Sequence, residues 1–501
     1  MAEKTEISGF DFIKLLKTFS RKEVLEFSKF IDSPFYNNHS TLIKLFKELK
    51  KYYPGFCDQR LTKKYLFNIV NKGVKYNDNL FRKYFSLLYK LSEEYLNILE
   101  IRKSDKSFDL NVLRQISARN TDSIFNKKLK EIKKKNDKEK KTDSEDFYYL
   151  YDLNNLNLKN NIRKSKLTDI NSVLIESVEN LFTYFISYAG YGYSQLVTNS
   201  KTMSNPEDIR RVEFIFKNFD LKTYIEMLEN RESVNSSKAV LILKLIYYDL
   251  KLNSDTDSET AYRNLKEFLI SNSEFLDKKL IHLYNKRLIV FCMIRQLNNI
   301  NSYDRELFDN FKFMLDNRLF FIDDGSKLLL NDFRAILYSA MSNNDYDWAE
   351  NFIAEFKDKV SNMSESEMYH FGMSSLNFNK KRFEDSLEHL SKIKTKHVYF
   401  LIDTYILKSK IFYELNYTDS AISVTNAFRH FLNRNTLISE NIKKGLLIYL
   451  VIFKKLIKLR QRPDAFKLEI LCDKISGSVN IRNKVWLREK CDDIRKNSEK
   501  K

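Results

Sequence analysis

Residues 77–103, NDNLFRKYFSLLYKLSEEYLNILEIRK, carry apolar side chains at Phe81, Phe85, Leu88, Leu91, Tyr95 and Ile98. Intervals of three and four stack these side chains on one face of an α-helix, which turns once every 3.6 residues. No Gly or Pro interrupts the run, and nothing in it alternates with the period of two that a half-buried strand shows. The stretch predicts a long amphipathic helix.

The rest of the chain follows the same rule. Only 9 Gly and 4 Pro occur in 501 residues, far too few for the turns of a sheet-rich protein of this size. Hydrophobic residues make up 43% and aromatics 14%, which is ample for burial. Pro34, Pro54, Pro206 and Pro463 all fall between apolar-periodic segments. Proline belongs there if the segments are helices, because it lacks the backbone N–H and clashes with the preceding turn. The predicted fold class is all-α, with helices joined by short polar turns.

Residues 1–104 read as an N-terminal domain of five helices. In SRKEVLEFSKFI, Ser20 and Glu23 form a capping box, and Val24, Phe27 and Ile31 share the face behind it. The next stretch, FIDSPFYNNHSTLIKLF at 30–46, is an interhelical junction. Pro34 stops the first helix, Phe35 and Tyr36 pack over the turn, and the asparagines supply capping or left-handed conformations. LTKKYLFNIV follows as a short helix capped by Thr62. The SPFYN turn and the aromatic-rich helix after it resemble a group of bacterial all-helical proteins of unknown function. That resemblance covers about the first hundred residues and implies no activity.

Residues 61–91 run short helix, turn with Gly73, long helix. The order resembles the recognition half of a winged-helix DNA-binding domain. The resemblance implies candidate nucleic-acid contacts at Asn77, Asn79, Arg82 and Lys83. No strand pattern for a wing follows, and a packed helical hairpin is the plainer expectation.

Residues 105–165 form a connector dominated by the lysine-rich segment 126–146, which reads as a solvated helix or a linker. Residues 166–235 are a middle helical segment, with Gly190 and Gly192 expected to end or kink its long aromatic helix. From 236 to 501 the rhythm is regular. Apolar segments of helical period occupy 238–252, 258–271, 277–297, 303–318, 328–342, 345–360, 365–377, 382–393, 398–415, 417–431, 440–460 and 464–475.

Three of these pairs share a signature. NNDYDWAENFIAEF, NKKRFEDSLEHLSKI and ELNYTDSAISVTNAF place an aromatic at the start of the second helix: Tyr346, Phe383 and Tyr417. A small residue follows three positions later: Ala349, Ser386 and Ser420. The small residue lets paired helices approach, while the aromatic fills the turn. With the aromatics 37 and 34 residues apart, the region resembles tetratricopeptide-type αα-solenoids. The resemblance implies stacked helix hairpins and a surface for a protein or peptide partner.

Lys and Arg number 86 against 67 Asp and Glu, a net charge of +19. Such a field attracts nucleic acid and other polyanions without specificity. Cys57, Cys292, Cys472 and Cys491 are far apart, with no zinc or disulfide spacing, which fits a reducing compartment. The 6 histidines form no metal-binding pattern, and no glycine-rich phosphate loop is present. NSDTDSET at 253–260 alternates acids but lacks the Gly and Glu of a calcium loop. No enzyme, metal or cofactor is expected, nor a membrane span, because Lys454 and Lys455 interrupt the longest apolar run. The expected role is a cytoplasmic, non-enzymatic scaffold for a protein or peptide partner. The alternative is a nucleic-acid-binding regulator with a helix-turn-helix-like N-terminal domain and a repeat region as sensor.

Overall fold

The computed structural model describes residues 6–163, 170–202, 209–230, 234–253, 258–297, 303–321, 325–438, 440–477, 481 and 483–499. Among them the chain is all-α, with 24 helices and no strands. The first eight are α1 (Asp11–Leu16), α2 (Arg21–Asp32), α3 (Ser40–Lys50), α4 (Lys63–Val70), α5 (Asp78–Lys103), α6 (Asp105–Ala118), α7 (Asp122–Lys138) and α8 (Ser144–Arg163). Then come α9 (Ile170–Thr202), α10 (Ile209–Asn218), α11 (Leu221–Glu229), α12 (Val234–Leu252), α13 (Ser258–Ser271), α14 (Lys278–Leu297), α15 (Asp304–Asp316) and α16 (Leu330–Ser342). The last eight are α17 (Tyr346–Phe356), α18 (Glu365–Asn379), α19 (Phe383–Ser391), α20 (Val398–Glu414), α21 (Thr418–Arg434), α22 (Glu440–Gln461), α23 (Ala465–Gly477) and α24 (Lys484–Glu499).

The chain gathers into two compact units, Met1–Lys138 with Tyr149–Glu179, and Glu139–Tyr148 with Asn180–Lys501. These limits differ from the divisions at 104, 165 and 235 that composition suggests. The reason lies in packing. The lysine-rich segment is largely the helix α7, whose Phe125, Leu129 and Ile132 pack with Leu110 and Leu113 of α6 and Leu153 of α8. Lys128 and Lys135 then pair with Asp109 at 2.7 and 3.8 Å.

In the first unit, Phe12, Phe27, Phe46, Phe81 and Phe85 interlock in one core. Ser20 caps α2 reciprocally: its N–H donates to Glu23 Oε2 at 2.6 Å and its Oγ accepts from the Glu23 N–H at 3.2 Å. The 33–39 junction is held differently from the expectation. Tyr36 stacks on Phe30 with centroids 4.1 Å apart, but Phe35 is 86% exposed and only leans edge-on against Tyr36. The closing residue is Asn37. Its buried amide donates to the carbonyls of Ile31 (3.0 Å) and His39 (3.3 Å) and accepts from the His39 N–H (2.9 Å). A satisfied polar side chain closes this turn, so Phe35 is free to point outward.

In the second unit, the substantial helix–helix contacts from α11 onward run between consecutive helices or between a helix and the next but one. Gly190 does not stop α9, which continues through it and Gly192 to Thr202. A Cβ at Gly190 would stand 2.5 Å from Ile246 Cγ2, so the glycine serves close approach to α12.

The hairpins α16/α17, α18/α19 and α20/α21 turn identically. Asn344, Lys381 and Asn416 adopt the left-handed conformation, at φ 57, 60 and 61°. The next residue's N–H donates five residues back in each: Asp345 to Ala340, Arg382 to Asn377 and Tyr417 to Phe412. This is a Schellman closure, which satisfies carbonyls at the end of the first helix. Five positions after each left-handed residue stands a fully buried small one: Ala349, Ser386 and Ala421. The third hairpin therefore runs one residue later than the aromatic spacing suggests. Ser420 is half-buried, Ala421 occupies the crossing, and Tyr417 is half exposed as the N-cap of α21.

Candidate functional site

The helices α16, α18 and α20 each begin one of these hairpins. They contribute side chains at helical spacing to one wall: Arg334, Tyr338 and Met341; Ser375, Phe378 and Asn379; Asp403, Ile406 and Lys410. These residues line a cavity of about 330 Å³. Ser342, Phe378, Asn379, Lys410 and Asn483 also line a second cavity of about 730 Å³, bounded by Trp486, Glu489, Lys490 and Asp493 of α24. The two cavities make one continuous groove along the start of each hairpin, with α24 at its end.

Charge is distributed unevenly along the groove. Arg334 Nη2 donates to Asp403 Oδ1 at 2.7 Å, and Nε and Oδ2 of the same pair lie 2.6 Å apart without hydrogen-bond alignment. Both side chains are largely buried, and the pair links α16 to α20. The close charges and the single hydrogen bond offset part of the desolvation of both groups. Near the far end, Lys490 meets Glu414, Glu489 and Asp493 at 3.0–3.1 Å. Burial works against its charge, but hydrogen bonds to Glu489 and Asp493 and the nearby Glu414 hold its ammonium well above the ordinary lysine range. Glu414 also accepts from the Trp486 indole at 2.9 Å.

Lys410 lies between these clusters. It occupies the register of Ile402 and Ile406 on the apolar face of α20. Its ammonium sits over Phe378 at 4.3 Å and near Trp486 at 5.4 Å. Among the described residues it forms no ion pair, since Glu414 is already engaged by Lys490 and Trp486. Burial pushes its pKa down to about 8 against the pull of Glu414 and Glu489. The Ser375 hydroxyl on the same wall is buried and has no hydrogen-bond partner among the described residues. A half-buried cation flanked by two rings, beside an unsatisfied hydroxyl, is suited to an incoming group with acceptor oxygens.

The candidate residues of the first unit have local occupations. Asn77 caps α5 by accepting from the Leu80 N–H at 3.0 Å. Arg82 pairs with Asp78 at 2.6 Å. Hydrogen bonds from Tyr76 and Arg82, with Lys63 beside them, hold the Asp78 carboxyl well below the usual carboxylate range. Asn79 and Lys83 are exposed. None of these four residues lines the groove along α16, α18 and α20. Among the repeat residues, Phe383 alone borders the groove, against Phe378 with centroids 5.5 Å apart. Tyr346 donates to Asn344 in its own turn at 3.0 Å. Of the acidic stretch 253–260, residues 254–257 lie outside the described residues.

Sequence reasoning missed Lys410, Phe378 and Trp486. One signal was available: Lys410 interrupts an apolar helical face at a core position. Trp486 belongs to α24, a helix too polar to stand out by periodicity. Among the described residues no helix is long and apolar enough to cross a membrane, and no group of three or more His, Cys, Asp or Glu is placed to hold a metal ion. No protein-family model, curated protein or solved structure matches the chain.

Proposed function

We propose that the second unit is a tetratricopeptide-like αα-solenoid that works as a non-enzymatic scaffold. It receives a peptide segment of a protein partner in the groove along α16, α18 and α20. The observation that carries this reading is Lys410, a cation retained on an apolar face without an acidic partner among the described residues. A carboxylate or backbone carbonyl from a bound segment would satisfy it, and Phe378 and Trp486 would flank the contact. The repeated hairpin turns and the near-neighbour helix contacts support the solenoid part of the reading.

The test is affinity capture of the full chain with and without nuclease, followed by mass spectrometry, beside Lys410→Met and Asn379→Ala variants. A defined protein that survives nuclease and is lost from both folded variants is the expected result. Capture of nucleic acid instead, unaffected by either variant, would reject the scaffold reading in favour of a nucleic-acid-binding regulator.

A further inference from the structure

A further cavity of the same unit lies between the end of α22 and α23, with a volume of about 830 Å³. Its walls come from two consecutive helices, and each presents a basic edge. Lys455, Lys458 and Arg462 follow at intervals of three and four along and just beyond α22. Lys467 and Lys474, seven apart, project from α23. Both spacings keep side chains on one side of a helix. Leu459, Ile470 and Leu471 form an apolar floor between the two rows.

Five cations therefore line this cleft with a single acid, Asp464, which is bound to Lys467 at 2.7 Å. Lys455, Lys458 and Arg462 have no ion pair among the described residues. Elsewhere in this unit lysines are commonly matched, as Lys490 is by three carboxylates. Three cations without an ion pair among the described residues, Lys455, Lys458 and Arg462, in a concave, partly apolar site call for a ligand that concentrates several negative charges. Adjacent phosphates do so in the least volume, and Arg and Lys are their usual partners. The volume falls within the roughly 300–1,000 Å³ typical of small-molecule sites. Among the described residues no aromatic side chain lines the cleft, so those residues supply no stacking platform of the kind single-stranded nucleic acids use.

We propose that this cleft binds a nucleoside polyphosphate, its phosphates between the α22 and α23 cations and its base against Leu459, Ile470 and Leu471. The site is independent of the Lys410 groove, and neither proposal needs the other.

Calorimetric titration of the full chain with ATP, GTP and inorganic triphosphate at near-physiological salt tests it. ATP or GTP is expected to bind more tightly than triphosphate, because triphosphate has no base to rest on the apolar floor. Lys458→Glu/Arg462→Glu should weaken binding at least about tenfold, a change of about 1.4 kcal/mol. Ile470→Ser should weaken ATP while sparing triphosphate. Lys130→Glu/Lys134→Glu, on exposed positions of α7, makes the same change in net charge and should leave ATP binding intact. Circular dichroism of each variant separates loss of the site from loss of the fold. Three results would overturn the proposal: no nucleotide binding tighter than about 1 mM, equal loss in the α7 variant, or binding of duplex DNA or anionic vesicles that ATP does not displace.

Discussion

Ser374 of α18 and Ser386 of α19 each donate a hydrogen bond to the other's backbone carbonyl, at 2.8 and 2.7 Å, with both side chains fully buried. The clasp is possible only because neither residue is larger than serine, so two helix backbones come within reach of each other's hydroxyls. Ser409 and Ala421 repeat the twelve-residue spacing in the following hairpin, both fully buried.

Ser386→Ala removes one donor and keeps the volume, so it should cost about 1 kcal/mol. Ser386→Leu and Ala349→Leu force extra methylenes into a closed crossing and should cost about 1–3 kcal/mol or more. Thermal unfolding of the three variants checks the order. A Leu variant as stable as the parent would mean that the crossings are looser than described.

Arg287 and Asp249 form a buried pair at 2.6 Å between α14 and α12. Removing one partner strands the other charge, so Arg287→Met alone should destabilise by about 3–5 kcal/mol. Arg287→Met/Asp249→Leu should recover most of that loss. Denaturant unfolding of the single and double variants measures the coupling.

Lys410 predicts an opposite sign. Its folded pKa, about 8, lies below the 10.5 of a free lysine, so its charge opposes folding at neutral pH. Lys410→Met should stabilise the unit by an amount on the order of 1 kcal/mol, reduced by the side chain's partial exposure. In the parent, this contribution makes stability rise with pH from about 8 toward 10.5. A thermal midpoint lowered by Lys410→Met would show that the ammonium is better satisfied than its surroundings indicate.

His370 and His389 meet Nδ1 to Nδ1 at 3.0 Å, so one ring donates and the other accepts. Burial lowers both pKa values. Lys392 adds to this at both rings and the His370 imidazole adds to it at His389, while Glu388 opposes it at both and Asp385 at His389. Depressed imidazoles bind fewer protons folded than unfolded. Their stabilisation is therefore present above the unfolded value of 6.5 and is lost as pH falls below it. The thermal midpoint should drop more steeply between pH 7 and pH 5 in the parent than in His370→Gln/His389→Gln. Parallel profiles would mean the pair does not titrate in that range.

Arg82 is tied to Asp78, and its neighbour Lys83 is exposed with no ion pair among the described residues. Binding of the chain to mixed duplexes at low salt should therefore be diffuse and change little in Arg82→Ala/Lys83→Ala. Sequence-selective binding that persists at higher salt and disappears in that variant would make the first unit a nucleic-acid reader.

Much of the fold was legible because burial imposes a period. The twelve apolar segments from 238 to 475 coincide with α12 to α23 to within a few residues, since each has one face in the core. The helix α24 escaped because a polar sequence rests on four anchors, Trp486, Leu487, Cys491 and Ile494. The slip from Ala421 to Ser420 has a similarly local cause. The register of each hairpin is set by its left-handed residue, Asn344, Lys381 or Asn416, and the aromatic is free to shift by one. The groove was not legible. Lys410, Phe378 and Trp486 are separated by 32 and 76 residues in sequence, and each alone looks like ordinary helix surface or core.

Helix contacts that are densest between near neighbours have a consequence for synthesis. From α11 onward, the densest packing of a segment leaving the ribosome is with helices just made, while the Arg334–Asp403 pair of α16 and α20 and the contacts of Tyr413 and Glu414 in α20 with α24 wait for helices further on. The second unit should therefore compact progressively as it emerges, with little waiting time for exposed apolar faces. One seat fills late: until α24 emerges, the place of Trp486 beside Tyr413 and Phe453 stays open to water.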